Sequence, residues 1–214
     1  MLTGTEKKEP ARRKRLSAEE RKNQIVEVAT SLFAKKGFKG TTTREIAARA
    51  GISEAVIFRH FSKKEALYTA IINRKCGDKD GQSLLLKALE GKEGREVFRE
   101  VASHLIGEQK KDPTFLRLLM YSALEEHRLS DIFFQTRGME LIGCLGEHIK
   151  GLMEAGLVRK VDPVVTARAF IGMVLHYSMS QEIYGFKRYS DITTEEAINT
   201  FITIFFEGLE RRKE

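Results

Sequence analysis

Apolar side chains recur every three or four residues through most of the chain, which is the spacing of one face of an α-helix. Before residue 76 the pattern forms four short segments, at residues 17–36, 42–50, 53–60 and 62–75. From residue 95 onward it forms longer segments, and no alternating strand pattern of useful length occurs. The sequence therefore predicts an all-α protein with short helices first and longer helices behind them.

Local signals mark where these helices begin and end. A Ser or Thr followed three residues later by Glu predicts a capping box, which satisfies the first backbone N–H groups of a helix. Four such pairs stand where the apolar spacing predicts that a helix begins: Ser17 with Glu20, Thr42 with Glu45, Ser62 with Glu65, and Thr193 with Glu196. Residues 130–154 are predicted to form one helix ended by Gly156, and the glycines between residues 76 and 94 predict a break in the connecting helix.

Residues 42–60 have the layout of a helix-turn-helix. Gly51 stands between two short helices, where a tight turn needs a residue that tolerates positive φ. Ser53 is predicted to cap the second helix, and Val56 and Ile57 are predicted to face inward. The remaining side chains of that helix face outward, where a helix held in this way can enter the major groove of DNA.

The run from Thr42 to Leu67 resembles the DNA-binding domain of the TetR family of bacterial transcriptional regulators. The matching residues are Ile25, Ala29, Leu32-Phe33, Gly37-Phe38, Ile46-Ala47, Ala50-Gly51-Ile52-Ser53, Phe58, His60-Phe61, Lys64-Glu65 and Leu67. The resemblance implies an N-terminal three-helix domain joined to a larger helical ligand-binding and dimerisation domain. We expect a disordered basic arm at 1–15, the helix-turn-helix domain at 16–62, and the larger domain at 63–214.

The chain departs from the usual family pattern at two places on the second helix. Phe58 stands where a tyrosine is usual, so a hydroxyl that would reach a phosphate is missing. Ala55 and Val56 stand where the family usually has a small Gly-Thr pair. The resemblance therefore leaves the base contacts of this turn to be established.

Positive charge is concentrated in the segment that carries the helix-turn-helix. Residues 1–75 contain 18 Lys and Arg against 8 Asp and Glu, a balance of +10, whereas the rest of the chain has a balance of −3. This distribution is typical of a phosphate-binding module. The arm at 1–15 is rich in Lys and Arg, and it is predicted either to lie along phosphates or in a minor groove, or to be a solubilising tail.

Eleven residues are predicted to contact DNA: Thr42, Thr43, Arg44, Ser53, Glu54, Ala55, Phe58, Arg59, His60, Lys63 and Lys64. The threonines lie at a helix N-terminus, which suits a phosphate oxygen. Arg59 is predicted to make a bidentate contact to guanine. Glu54 either accepts from cytosine or pairs with an arginine, and Phe58 packs on a sugar or a thymine methyl group.

The remaining predicted contacts concern the DNA backbone. Arg44 is within reach of a phosphate or a groove edge, and Lys63 adds to the positive charge. The resemblance implies that His60 and Lys64 hold the backbone, although His60 alternatively caps its own helix. Phe61 is predicted to be a core residue.

Two C-terminal helices, predicted at 163–184 and 195–210, are apolar on more than one side. A helix of this kind is buried on most sides, either by a second copy of the chain or within a monomer core. The resemblance implies a four-helix dimer interface. The residues predicted for it are Phe170, Val174, Tyr177, Phe201, Ile204 and Phe205.

The resemblance also implies a small-molecule pocket among the central helices. The candidate lining residues are His104, Phe115, Met120, Tyr121, Phe134, Met139, His176 and Tyr177. Each is more often a core residue than a ligand contact, but together they suit a hydrophobic or amphipathic effector. The histidines show no close metal-ligand spacing, so no metal and no cofactor are predicted.

Other classes of protein are disfavoured by what the sequence lacks. It contains no P-loop, dinucleotide fingerprint, G-x-S-x-G elbow or H-E-x-x-H pattern, so no enzyme is predicted. Cys76 and Cys144 are far apart, and neither a secretory signal nor a membrane span is found, which predicts a cytoplasmic protein with reduced thiols. We expect a homodimeric repressor that leaves a palindromic operator when an effector binds; the alternative is a non-specific or architectural DNA-binding protein.

Overall fold

The computed structural model describes residues 16–77, 83–125 and 128–210, so the predicted arm at 1–15 lies outside the described residues. Within these ranges the chain forms helices and no strand, as predicted. The α-helices are α1 (Ala18–Lys36), α2 (Thr43–Ala50), α3 (Glu54–His60), α4 (Ala66–Cys76), α5 (Leu84–Leu89), α6 (Gly94–Lys111), α7 (Thr114–Leu124), α8 (Arg128–Phe133), α9 (Met139–Glu154), α10 (Pro163–Glu182) and α11 (Thr194–Leu209).

Two of the four predicted capping boxes are complete. At the start of α1, Ser17 Oγ accepts from the Glu20 N–H at 3.1 Å and the Ser17 N–H donates to the Glu20 carboxylate at 2.7 Å. Thr193 and Glu196 make the same pair of bonds at the start of α11. These helix starts are therefore set by local sequence.

The other two predicted capping boxes are incomplete or absent. Thr42 accepts from the Glu45 N–H at 3.1 Å, but the Glu45 carboxylate pairs with Lys36 of α1 instead of returning to Thr42. The prediction for Ser62 is wrong, because α4 begins only at Ala66 and has no side-chain cap. The prediction for Ser53 is also wrong, since it precedes α3 without a side-chain cap bond.

The helix predicted at 130–154 is divided by a π-helical turn at Phe134–Gly138. The Thr136 hydroxyl donates to the Ile132 carbonyl at 2.7 Å, which competes with the regular backbone bond at this point. A π-helical turn inserts an extra residue into the helix and rotates the face that follows it. The predicted break in the connecting helix is confirmed, because α4 ends at Cys76.

Among the described residues, two hydrophobic cores hold the molecule together. One lies in the head, which is α1 to α4, and the other lies in the body, which is α5, α6, α9, α10 and α11. The head core is formed by α1 to α4 and is completed by Phe115 and Leu118 of α7 and Leu129 of α8. The body core is formed by α5, α6, α9, α10 and α11, with Val158 from the α9–α10 connection. Helices α7 and α8 follow α6 in sequence, yet they pack into the head core.

Candidate nucleic-acid interface

The predicted helix-turn-helix is present at α2 and α3. Gly51 adopts φ 66° and ψ 36°, the left-handed conformation that a tight turn between helices requires. Its N–H bonds back to α2, and the Ile52 N–H donates to the Ala47 carbonyl at 3.0 Å. Ile57, only 1% exposed, holds α3 against the head core. The opposite side of α3 is consequently turned to solvent.

That outward side carries aromatic, small and basic side chains. Ala55, Phe58 and Arg59 of α3 are exposed, as are Arg44 near the start of α2 and Lys63 just after α3. The Phe58 side chain is 49% exposed, which is costly for a large apolar group unless a partner covers it. The combination of an exposed ring with guanidinium and ammonium groups suits sugars, thymine methyl groups, base edges and phosphates.

Two of the residues predicted to contact DNA are bonded to each other. The Thr43 hydroxyl donates to the Glu54 carboxylate, which joins the first residue of α2 to the first residue of α3. Glu54 pairs with Thr43 and not with an arginine among the described residues, and its contact to cytosine stays a prediction. This bond links the two helices near the face that carries Phe58 and Arg59.

The Lys64 side chain also bonds to other groups of the protein. Its Nζ donates to the carbonyls of Phe38 and Thr41, each at 2.7 Å, and lies 3.8 Å from the centroid of the Phe38 ring. Burial lowers the pKa of Lys64, against the opposing effect of the carboxylates of Glu65 and Glu125. Lys64 therefore stabilises the α1–α2 loop, residues 37–42, and a phosphate contact through its third N–H stays a prediction.

The other predicted contacts have the following environments. Thr42 and Ser53 are exposed, His60 is half-buried, and Phe61 is 4% exposed within the head core, as predicted. The Thr42 hydroxyl is committed to capping α2. The exposed members of the predicted set are thus Thr42, Arg44, Ser53, Ala55, Phe58, Arg59 and Lys63.

One residue that bonds to the α1–α2 loop was not predicted from the sequence. Glu125, which follows α7, accepts from the N–H groups of Phe38 and Lys39 at 2.9 and 3.3 Å. In the sequence it is one of two adjacent glutamates in a turn, 87 residues away from Phe38. No periodicity or spacing signals a contact of that range.

The candidate effector residues lie in different environments in the described part of the chain. Phe115 belongs to the head core, and Tyr121, Phe134 and Met139 are exposed. Tyr177 lines a cleft of about 510 Å³ between the C-terminal ends of α6 and α10 and the start of α11. The other candidates are placed as follows: His104 and Met120 are half-buried, and His176 is exposed.

The predicted dimer residues divide into buried and accessible groups. Phe170, Val174 and Phe205 are at most 7% exposed because they fill the body core, which corrects their assignment to an interface. Tyr177 and Phe201 are half-buried against that core, with ring centroids 5.4 Å apart. Ile204, which is 57% exposed on α11, is accessible to a partner.

Neither a metal site nor a membrane span is found among the described residues. No group of three or more His, Cys, Asp or Glu side chains is arranged to hold a metal ion in the ranges that the structure describes. Over the same ranges, none of the helices is both long enough and apolar enough to cross a membrane.

The sequence matches two described families over most of its length. Residues 25–71 match the bacterial regulatory proteins of the tetR family, and residues 96–208 match the C-terminal domain of AefR-like transcriptional repressors. The first match spans the helix-turn-helix, and the second spans most of the body.

Individual relatives and solved structures agree with these matches. The uncharacterized HTH-type transcriptional regulator YvkB of Bacillus subtilis is 22% identical over 187 residues, covering 87% of this chain and 95% of its own. The HTH-type transcriptional repressor KstR2 of Rhodococcus jostii is 34% identical over 139 residues, covering 64% of this chain and 65% of its own.

A solved structure extends the likeness to three dimensions. AibR in complex with isovaleryl coenzyme A and operator DNA is 26% identical, has a TM-score of 0.68, and covers 87% of this chain and 98% of its own. The helix-turn-helix geometry, the two matched regions and this shared fold lead to one conclusion. The chain belongs to the TetR family of bacterial regulatory proteins and is a DNA-binding transcriptional regulator, not an enzyme.

Proposed function

We propose that this regulator is a homodimeric repressor that binds a palindromic operator through α3 and releases it when an amphipathic small molecule binds the body. The observation that carries the proposal is the exposed face of α3, where Ala55, Phe58 and Arg59 are held outward by the burial of Ile57. A bidentate arginine contact favours guanine, and apolar contacts favour thymine methyl groups. The half-site is therefore expected to contain both bases.

The dimer proposal rests on the outer faces of α10 and α11. On α10, Val165, Ala169 and Gly172 are exposed at successive turns on the side away from the body core. On α11, Ile204 and Gly208 are exposed one helical turn apart. A Cβ added to either glycine would meet nothing within 4 Å, so both helices leave room for a partner to approach closely. A second copy would cover this surface.

Two-fold symmetry gives the operator its expected form. A symmetric pair presents two α3 helices, and half-sites about 34–36 Å apart, or a multiple of this distance, place them in major grooves on one side of the duplex. Repression, not activation, is proposed because the matched C-terminal domain and KstR2 are described as repressors. Regulators of this kind act in the cytoplasm, where they meet the chromosome.

The effector is proposed to be amphipathic, with an acyl thioester as the first class to examine. The support is the fold shared with AibR, which was solved with isovaleryl coenzyme A. A release assay can compare isovaleryl coenzyme A with free coenzyme A on a bound duplex. Release by the acyl thioester alone would support this class, whereas no release by either would direct attention to other amphipathic molecules.

Selection from a random-sequence duplex pool at near-physiological salt tests the DNA-binding part of the proposal. We expect recovery of a palindrome whose half-sites are bound far more tightly than random DNA. Recovery of no preferred sequence would favour the alternative, a non-specific binder that uses the charge of +10 on residues 1–75. A non-specific binder would also lose most of its affinity as salt is raised.

A further inference from the structure

The α1–α2 loop is held from two sides by side chains of other elements. From one side, the Glu125 carboxylate accepts from the Phe38 and Lys39 N–H groups at 2.9 and 3.3 Å. From the other, Lys64 donates to the carbonyls of Phe38 and Thr41. Hydrogen bonds to charged groups are stronger than those between neutral groups. The loop therefore has little freedom of its own.

The close fit at this point depends on a glycine. Gly37 has φ 71°, and a Cβ at this residue would lie 2.1 Å from Glu125 Oε1. No side chain other than hydrogen leaves space for the carboxylate in this position. The Thr41 hydroxyl, fully buried, donates to the Gly37 carbonyl at 2.9 Å and closes the loop on itself.

The loop sets the position of α2. Thr42, the last residue of the loop, caps α2 by accepting from the Glu45 N–H. The next residue, Thr43, bonds to Glu54 at the start of α3. A displacement of the loop would thus move the first turn of α2 and, through the Thr43–Glu54 bond, the start of α3.

Helix α7 is attached to the head at both ends. At the C-terminal end of α7, Glu125 accepts hydrogen bonds from the loop, and the Tyr121 hydroxyl lies 3.5 Å from the Lys35 carbonyl of α1. Before its start, Asp112 pairs with Lys75 of α4 at 2.9 Å and accepts from the Thr114 N–H at 3.0 Å. Burial opposes ionisation of Asp112, but the bonds from Thr114 and Lys75 outweigh it and hold its pKa at about 2.

These contacts place α7 between the two parts of the molecule. It follows α6, a body-core helix, with only Asp112 and Pro113 between them. It buries Phe115 and Leu118 in the head core. A change in α6 is consequently passed along a helix whose far end carries the carboxylate that holds the loop.

From this geometry we propose that Glu125 is a positioning residue for DNA binding. The hydrogen bonds that its carboxylate accepts from the Phe38 and Lys39 N–H groups fix the α1–α2 loop. The loop in turn holds α2 and α3 in the arrangement that fits the operator. The end of α7 is then the point at which the body controls the head, by a route separate from the covalent path through α4. This inference rests on the proposed operator binding.

The test compares Glu125→Ala, Glu125→Gln and Glu108→Ala in the full chain. Glu108 is exposed on α6 and pairs with Lys111, so its removal changes the charge equally but leaves the loop untouched. Two quantities are measured: the dissociation constant for the selected duplex, and hydrogen exchange of the Phe38 and Lys39 amides. Removing a negative charge from a DNA-binding protein should by itself tighten binding.

We expect Glu125→Ala to bind the duplex at least ~10-fold more weakly, although the charge change alone acts in the opposite direction, and to exchange both amides faster. Glu125→Gln keeps an oxygen that accepts N–H bonds and should recover part of both properties. Glu108→Ala should match wild type or bind slightly more tightly. A stability measurement on each variant corrects for any unfolded fraction.

Several results would overturn the proposal. If Glu125→Ala binds the duplex as tightly as wild type or more tightly, the hydrogen bonds of Glu125 do not position α2 and α3. If affinity falls while the two amides stay protected, the loop is not the cause. Should Glu125→Ala fail to fold, Glu125→Gln decides: weaker binding with faster exchange of both amides supports the proposal, and weaker binding with both amides still protected overturns it. A wild-type protein that selects no duplex would contradict the proposed function instead.

Discussion

The head core and the body core are built in different ways. The head core is completed by Phe115, Leu118 and Leu129, which come from helices that lie beyond α6 in the chain. The body core draws its buried residues from α5, α6, α9, α10, α11 and the α9–α10 connection. Its outermost helices, α10 and α11, keep an accessible outer face. The head core is thus completed by α7 and α8 of the same chain, whereas the exposed outer faces of α10 and α11 form the surface that we propose a second copy covers.

The largest effect should come from opening a cavity in either core. Leu118 and Leu145 are at most 1% exposed, one in each core, and truncation of either to alanine is expected to cost about 2–5 kcal/mol of stability. Only Leu118→Ala should also weaken duplex binding by the molecules that remain folded, since it loosens α7 against the head. Urea unfolding followed by circular dichroism, together with duplex titration, measures the two effects. Equal loss of binding in both variants would mean that the cores do not act separately.

A charge on the outer face of the body tests its need for a second copy. Ile204→Asp is expected to weaken the dimer by about 3 kcal/mol, roughly 100-fold, because two carboxylates would lose hydration at the interface. Thr203→Asp is the control, since Thr203 is exposed about 100° further round the same helix. Light scattering across a dilution series gives the oligomeric state. A dimer that survives Ile204→Asp and dissociates with Thr203→Asp would place the interface elsewhere.

A smaller effect is expected on the outer face of the head. Arg59→Ala should lower affinity for the selected duplex by about 1–3 kcal/mol and relax base preference at one position of each half-site. Arg49→Ala removes the same charge from the end of α2 and should affect all sequences alike. Competition with duplexes changed one base pair at a time distinguishes these results. Uniform weakening by Arg59→Ala would make it a phosphate contact.

The smallest perturbation uses one cysteine beside each core. Cys76 packs against the head core and Cys144 against the body core. Burial raises the pKa of Cys76 to about 11 from an ordinary value of 9.0, and it also raises the pKa of Cys144. Since the thiolate is the reactive form, Cys76 should react about 100-fold more slowly near pH 8 than in the unfolded chain.

The raised pKa of Cys76 also makes the free energy of unfolding depend on pH. With a folded pKa above the unfolded value, the Cys76 thiol favours the folded state below about pH 9, and this contribution declines as the pH approaches 11. Labelling of Cys144→Ser and Cys76→Ser by an aromatic disulfide reports each site alone. Rapid labelling of Cys76 in the folded protein would show that the head core opens readily.

The parts predicted correctly from the sequence are those with local causes. The turn at Gly51, the caps at Ser17 and Thr193, and the burial of Ile57 each follow from residues a few positions apart. Ser62 has the spacing of a cap, but the chain forms a short turn over 63–65 before α4 begins, so the pattern alone was misleading.

Other features could not be read from the sequence because they depend on packing. The pattern shows that α10 and α11 are apolar on several sides, but not that Phe170, Val174 and Phe205 take the inner side. Likewise, the contact of Glu125 with the α1–α2 loop joins residues 87 positions apart, and only the packing of α7 on α1 brings them together. Long-range polar contacts of this kind produce no periodic pattern in the sequence.

The most direct measurement is a hydroxyl-radical footprint of the protein on the duplex selected from the random pool. Two copies related by two-fold symmetry should protect two equivalent patches, centred about 34–36 Å apart or a multiple of that distance, on one side of the duplex. Each patch should lie on the sugar-phosphate backbones that flank the major groove that α3 is proposed to occupy. A single unsymmetrical patch would contradict a dimer that presents two copies of α3 to a palindromic operator.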